Sequence, residues 1–354
     1  MVSADKQIWH CFGCGKGGDI FGFVMEIEGL GFREALEHLA EKAGIQLKKI
    51  NPKIAAQKNK TLEILELATK FYETQLWKGH GKVKIINYLK KRGLNPKTIK
   101  EFRLGYAPPG WRNLLTFLIK RKYQFNEINK TGLIVEKKID QTDDKIRNSK
   151  FEIRNSQFYD RFRDRIIFPI ADVGGRIVGF SARVAPGGDE TQAKYVNTPE
   201  TEVYHKSKIL YGIDKAKGEI RNNKFIFLVE GNMDVIAASQ AGIKNVAAVS
   251  GTALTDEQLG IIKRYTDTIA MSFDMDQAGE IATKKSIKLC LEKDIKVKIV
   301  TLPEGKDAAE LAQKNPAKLK KSLVGAVEAT EYLFDKTLSK FDRTTATGKR
   351  QIAD

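Results

Sequence analysis

Short apolar runs alternate with stretches of helical periodicity through the second half of the chain. Lys224-Phe-Ile-Phe-Leu-Val-Glu230, Asn245-Val-Ala-Ala-Val-Ser250, Thr268-Ile-Ala-Met-Ser-Phe-Asp274 and Lys296-Val-Lys-Ile-Val-Thr-Leu302 each have the length and composition of a strand. A continuous apolar run fits a strand buried on both faces, as in a parallel sheet. Between them the pattern predicts helices around 233–241, from about 255 with Thr255 as N-cap, and from about 278. Such alternation predicts βαβ units.

The first half reads differently. Residues 20–44 predict one or two amphipathic helices ending at Gly44, and the polar, lysine-rich stretch 46–60 with Pro52 predicts a linker. Apolar residues fall at helix spacing from Thr61 to Tyr72, and Pro108-Pro109-Gly110 is a break. Ile146-Arg-Asn-Ser-Lys-Phe-Glu152 recurs as Ile153-Arg-Asn-Ser-Gln-Phe-Tyr159. Two copies are too few for a solenoid, so residues 139–158 predict an inserted surface loop. Beyond it, Tyr159–Ile170, if extended, places Arg161, Arg163 and Arg165 on one face, with Gly174–Arg183 as a hairpin partner. Residues 318–354 predict helix and then a polar tail.

Charge narrows the class. In 354 residues, 61 basic side chains face 44 acidic ones, a net charge of +17. Such an excess favours a polyanionic partner, nucleic acid ahead of a membrane surface; a generally lysine-rich composition is the plain alternative. Three cysteines, Cys11, Cys14 and Cys290, make a disulfide framework a poor fit and a reducing cytoplasm a better one. A signal peptide, an 18-residue apolar run and a G-x-x-x-x-G-K-[ST] phosphate loop are absent from the sequence.

Candidate chemistry lies where the apolar runs end. Glu230 follows the first; Asp274 and Asp276 follow the third. In open parallel sheets the ligand crevice lies outside the carboxyl ends of the strands. Three carboxylates there repel unless a cation sits between them, and oxygen-only ligands suit Mg2+. The plain alternative is that they end strands and cap helices. Ser250-Gly251-Thr252, at another strand end, is either a phosphate-binding turn or a plain turn. Near the N-terminus, Cys11-Phe-Gly-Cys14-Gly has the form of a zinc knuckle, with a redox pair as the alternative; a structural zinc site needs four ligands, and only two are visible. The arginine row is either a phosphate-contacting surface or a solvated face.

Glu230-Gly-x-x-Asp234 followed by Asp274-x-Asp276 across alternating strands and helices resembles the Toprim domain of topoisomerases, small nucleases and bacterial primases. The run His10-Cys-Phe-Gly-Cys-Gly with Asp19–Glu26 and Phe32–Ala40 resembles the zinc ribbon of DnaG-type primases. Tyr88–Leu94, Phe102–Trp111 and Tyr159–Lys206 resemble the family's polymerase core. The resemblance implies an α+β multidomain fold: a partial zinc ribbon at 1–46, a linker at 47–60, a basic subdomain at 61–218, a Toprim domain with a mainly parallel sheet at 219–317, and the start of a helical subdomain at 318–354.

It also implies RNA primer synthesis on single-stranded DNA from NTPs, a nucleotidyl transfer. Glu230, Asp274 and Asp276 would be catalytic and hold Mg2+ (or Mn2+), with Asp234 and Asp307 secondary, as outer ligands or orienting acids. Arg161, Arg163, Arg183, Lys194 and Lys206 would border the template and the incoming nucleotide. Implied partners are template DNA, RNA primer and NTPs, with a replicative helicase and single-strand-binding protein for a full-length member, at a bacterial replication fork in the cytoplasm. Two departures stand out. The family's upstream Cys-x-x-His is missing, so Cys11 and Cys14 bind Zn2+ only if further ligands are supplied; the chain reads as truncated at both ends. And Asp307-Ala308-Ala309 replaces Asp-Pro-Asp, with Glu310 as a candidate substitute. A DNA-cleaving Toprim enzyme and an inactive nucleic-acid-binding remnant are the alternatives.

Overall fold

The computed structural model describes residues 1–5, 7–28, 32–45, 52–136, 158–189, 191–251, 253–273, 277–303, 307–340, 344–345 and 350. The expected inserted loop lies outside them apart from Phe158. The chain forms two compact units, 1–57 and 58–354.

In the first unit, β1 (Val2–Ser3), β2 (Ile8–His10) and β3 (Gly17–Gly18) make an antiparallel meander. Asp19 caps α1 (Ile20–Glu28) by accepting the Gly22 N–H at 2.8 Å. The Phe23 ring meets Trp9 edge to face, centroids 5.3 Å apart. After α2 (Phe32–Lys42) the chain turns at Gly44, with φ of 66°.

Where the sequence predicts a linker, helix α3 (Pro52–Trp77) already begins. Proline is favoured at the first helical position, and the Ala, Gln and Lys that follow are strong helix formers. Lysine-rich composition marked this stretch as solvated, which a helix tolerates. Next come α4 (Lys84–Lys91), α5 (Pro96–Glu101), β4 (Gly105–Ala107), α6 (Asn113–Ile119), α7 (Phe125–Lys130), β5 (Ile134–Glu136), β6 (Phe158–Asp160), β7 (Arg165–Ala171), β8 (Ile177–Val184) and β9 (Tyr195–Asn197). The hairpin β7–β8 forms as predicted and anchors an antiparallel sheet of order β4-β7-β8-β9. Its period-two alternation sends Ile167 and Phe180 into a core with Leu65 and Tyr72 of α3. Ile166, Phe168 and Ile170 point the other way, into a core shared with Phe227 and Val229.

Those two residues belong to the second sheet. After α8 (Ile213–Asn223) come β10 (Ile226–Val229), α9 (Asn232–Gln240), β11 (Val246–Ala248), α10 (Asp256–Ile262), β12 (Thr268–Ser272), α11 (Gln277–Leu291) and β13 (Lys296–Ile299). The order is β11-β10-β12-β13, all parallel. Phe227 and Val229 face one core while Ile226 and Leu228 face another, so the strand is apolar throughout. Thr255 is the N-cap foreseen: its Oγ1 accepts the Gln258 N–H at 3.2 Å and the Gln258 Oε1 accepts the Thr255 N–H at 3.1 Å.

Helices α12 (Ala308–Lys314) and α13 (Pro316–Val324) lead to β14 (Val327–Glu328) and α14 (Ala329–Lys340). The strand adds antiparallel to β13, with Lys298 and Glu328 in register and 3.4 Å apart. The stretch predicted as helix and tail thus also supplies an edge strand to the parallel sheet. A two-residue strand is too short for its period to show in sequence.

Candidate active site

A cleft of about 470 Å³ lies where the carboxyl ends of the parallel strands meet the antiparallel sheet. From the parallel side come Glu230, Asn232, Asp234, Ser250, Gly251 and Asp307; from the other come Arg183, Lys194, Tyr195 and Asn197, with Arg92 after α4 and Lys206 beyond β9. Of the residues predicted from sequence, Glu230, Asp234, Asp307, Arg183, Lys194 and Lys206 come together here.

Glu230 directly follows β10, and its carbonyl accepts the Ser250 N–H at 3.0 Å, tying the ends of β10 and β11. Ser250 and Gly251 take φ values of 57° and 83°, a left-handed turn that holds Ser250 Oγ 2.7 Å from Asn232 Oδ1, to which it donates. β12 ends at Ser272, in register with Val229; Asp274 and Asp276 follow in the chain and lie outside the described residues.

Asp234, expected as an outer ligand or an orienting acid, binds backbone. Its Oδ2 accepts the Gly231 N–H at 3.0 Å and its Oδ1 accepts the Ala309 N–H at 2.9 Å. Both oxygens serve backbone amides, so the carboxylate brackets the start of α9 to α12. A Cβ on Gly231 would stand 2.9 Å from Asp234 Oδ2, so the bracket needs glycine there. Asp307 is the N-cap of α12, its Oδ1 accepting the Glu310 N–H at 2.6 Å. Glu310 points elsewhere, pairing with Lys314 at 2.6 Å, and is not among the lining residues. Ala308 and Ala309 are buried.

The basic side is built by packing. The Arg183 guanidinium lies between the rings of Tyr88 and Tyr195, 5.6 and 5.8 Å from their centroids. Lys206 is placed through its backbone: Glu200 accepts its N–H at 2.8 Å and meets His205 Nδ1 at 3.0 Å. The Lys206 N–H holds the Glu200 carboxyl below its ordinary range.

The predicted arginine row breaks. Asp164 has a φ of 47°, so the chain is not extended from Tyr159 to Ile170 and the three arginines diverge. Arg161, half-buried, donates from Nε to the Gly132 carbonyl at 2.7 Å, and burial pulls its pKa down. Arg165 is buried against the carbonyls of Ala182 and Ala193. Arg163 stacks on Trp111 and Tyr159, 4.5 and 4.9 Å from the centroids, and Trp111 is 64% exposed. Neither Arg161 nor Arg163 lines the cleft. Arg92, Tyr195, Asn197 and Asn232 do, and sequence reasoning passed over them. For Arg92 the signal existed in the run Tyr88–Leu94, and for Tyr195 and Asn197 in the stretch Tyr159–Lys206; Asn232 falls at an open position of Glu230-Gly-x-x-Asp234.

Among the described residues no three His, Cys, Asp or Glu side chains group to hold a metal. The cleft's oxygen donors from Glu230 and Asp307, beside four basic side chains, suit a hard cation carrying phosphate. In the first unit, the Cys14 amide, the Cys14 thiol and the Gly13 amide lower the Cys11 thiol, the electrostatics of a thiolate knuckle. A structural zinc site needs four ligands, and these sulfurs number two.

The parallel sheet and the antiparallel sheet thus bring acidic and basic side chains to one cleft. Residues 227–312 match the family model described as Toprim-like, residues 71–154 and 137–217 that of the DNA primase catalytic core, N-terminal domain, and residues 1–55 that of the CHC2 zinc finger. The DNA primase of Clostridium acetobutylicum is 38% identical over 321 residues, 89% of this chain and 49% of that protein. The crystal structure of a DNA primase domain from Pseudomonas aeruginosa superposes with a TM-score of 0.70 at 35% identity, covering 83% of this chain and 87% of that one. A DnaG primase catalytic domain bound to ssDNA gives a TM-score of 0.70 at 28% identity, covering 84% of this chain and 88% of that one. The chain belongs to the DnaG-type DNA primases. It spans about half the length of the curated relatives it matches.

Proposed function

We propose that this protein synthesises RNA primers on single-stranded DNA. The observation that carries the reading is the cleft itself: Arg92, Arg183, Lys194 and Lys206 face Glu230 and Asp307 at the carboxyl ends of parallel strands. A similar catalytic domain binds ssDNA, and the net charge of +17 suits a nucleic-acid partner. The basic side chains hold the triphosphate of the incoming NTP, and the primer 3′-hydroxyl attacks its α-phosphate with pyrophosphate leaving in line. Glu230, Asp307, Asp274 and Asp276 are the residues that would hold Mg2+ or Mn2+, which would supply positive charge to the phosphates during the transfer. Asp234 serves as a positioning acid. Zn2+ is the ion that Cys11 and Cys14 suit, with ligands beyond those described. Arg163, beside exposed Trp111, is assigned to the template surface, outside the nucleotide cleft.

The test is extension of a short RNA primer annealed to a DNA template, with NTPs and Mg2+. Template-directed lengthening is expected, lost in Glu230→Gln with single-strand binding nearly unchanged. Lengthening by Glu230→Gln at the wild-type rate sinks the metal assignment. Cleavage of the DNA without lengthening turns the reading to a Toprim nuclease.

A further inference from the structure

A lysine-rich face adjoins the cleft. From Lys84 to Lys100 the sequence carries six basic residues and no acid, and from Lys314 to Lys321 four lysines and no acid, in a chain with 44 acids to 61 bases. A merely lysine-rich composition would scatter acids through both stretches. The fold joins them. Gln313, near the end of α12, donates to the Lys91 carbonyl at 3.1 Å. Gln240, at the end of α9, donates to the Gly93 carbonyl at 2.7 Å and accepts the Asn95 N–H at 2.9 Å. The Lys320 ammonium lies 3.2 Å from where a Cβ on Gly242 would stand. Lys90 and Lys91 of α4, Lys97 of α5 and Lys318, Lys320 and Lys321 of α13 are exposed and form no ion pair with a described acid. The nearby acids Glu101 and Glu310 are paired with other lysines, Lys244 at 3.5 Å and Lys314 at 2.6 Å.

Placement says what this face would meet. Arg92, next in the chain after Lys91, lines the cleft, and so does Asp307, the N-cap of α12. Helix α12 therefore leads from the cleft to the lysines. Its seven residues span about 10 Å, about three nucleotide steps of ~3.4 Å. Composition says which form of nucleic acid fits. A single strand exposes unstacked bases, and surfaces that take it interleave cations with aromatic rings, as Arg163 and exposed Trp111 do. None of the exposed aromatic side chains among the described residues lies on α4, α5, α12 or α13. Bases in a duplex stack on one another and leave phosphates to be met, which lysines do as point charges. We infer that this face holds the RNA–DNA duplex behind the growing primer end, engaging it once the product exceeds about three base pairs. The inference rests on the primase reading and adds the surface that retains the product.

The experiment measures binding by fluorescence anisotropy across a salt series, for a labelled DNA strand alone and for the same strand carrying an annealed RNA primer of about ten nucleotides. The full chain is compared with Lys318→Gln/Lys320→Gln/Lys321→Gln and, at the other edge of the face, Lys90→Gln/Lys91→Gln. Wild type is expected to hold the primed strand about 10-fold or more tighter than the bare one. In the α13 variant the salt slope of log K for the primed strand shrinks by about 2–3, in the α4 variant by about 1–2, and most of the preference for the primed strand goes with it. The slope for the bare strand stays at its wild-type value. Because these side chains are exposed and unpaired, Tm stays within about 2 °C of wild type in both variants. Equal loss of slope on the two substrates makes the face a single-strand surface and overturns the inference. Unchanged slopes, or a wild type that binds both substrates equally, overturn it as well. Protein that shows the expected slopes but extends no primer overturns the polymerase reading and leaves the duplex surface standing; extension with unaltered slopes does the reverse.

Discussion

Asp234→Asn separates two roles that a carboxylate can have at the rim of this cleft. If Asp234 brackets α9 to α12, its loss is a loss of stability; if it binds a metal, its loss is a loss of metal affinity. The two accepted amides, from Gly231 at 3.0 Å and Ala309 at 2.9 Å, each bond a charged acceptor in a residue that is 9% exposed. Hydrogen bonds to charged groups contribute about 1.5–3 kcal/mol each. Asparagine keeps one acceptor and turns an NH2 toward the other amide, so the cost is about 2–3 kcal/mol. Asp234→Ala orphans both amides and costs roughly twice that. For a unit this large, each kcal/mol lowers Tm by about 2 °C, so Asp234→Asn melts about 4–6 °C lower by calorimetry. Well below the melt, the Mg2+ concentration for half-maximal primer extension stays within about twofold of wild type. An unchanged Tm with a tenfold higher Mg2+ requirement refutes the bracket and makes Asp234 a ligand.

Other expectations follow from the same contacts. Arg163→Ala weakens single-strand binding across sequences and reduces the salt slope of log K by about 1; Arg161→Ala leaves the slope unchanged and lowers Tm, because its guanidinium is spent on the Gly132 carbonyl. Asp160 is buried and accepts the Leu114 and Leu115 N–H groups at 2.8 and 2.9 Å; burial raises its pKa from 3.8 to about 6. The folded value lies above the unfolded one, so the stability it contributes is complete below pH 3.8 and lost as pH rises through about 6. Stability of wild type relative to Asp160→Asn, from denaturant titrations, should fall by about 3 kcal/mol between pH 4 and pH 7; a flat difference removes Asp160 as the titrating group. Mutating Arg103 to Ala should lower Tm less at high salt than at low salt, since it pairs at 2.8 Å with Glu66 and 3.0 Å with Glu73 while partly exposed.

The parallel sheet was legible because burial on both faces leaves a mark that local sequence carries: Ile226–Val229 is apolar at every position since both neighbours are core. Thr255 was legible for the same reason, its cap closing within three residues. The misreadings needed information from elsewhere. The arginine row assumed that period two persists through Asp164, yet that residue turns left-handed where Tyr106 Oη donates to its carboxylate at 2.6 Å, a contact 58 residues away in sequence. Asp234 sits in a recognisable acidic motif and was no misreading as an orienting acid, but the amide it holds lies 75 residues on and could not be named from the motif.

How the two sheets divide the charge explains why the cleft is built between them. Arg92, Arg183, Lys194 and Lys206 share a cavity with Glu230 and Asp307, yet none of the four basic groups forms an ion pair with a described acid. Neutralising them internally would be simple if stability were the only demand. Instead Arg183 is steadied by two aromatic rings, which hold a cation in place without cancelling its charge. Lys206 is fixed through its backbone N–H, which leaves its ammonium out of the bond that positions it. Of the acids, Glu230 directly follows β10 and Asp307 caps α12. Like charges held on each wall repel within the wall and attract whatever carries the opposite sign. A polyphosphate bound to a cation satisfies both walls at once, so nucleotide and metal should bind cooperatively, each raising the affinity of the other.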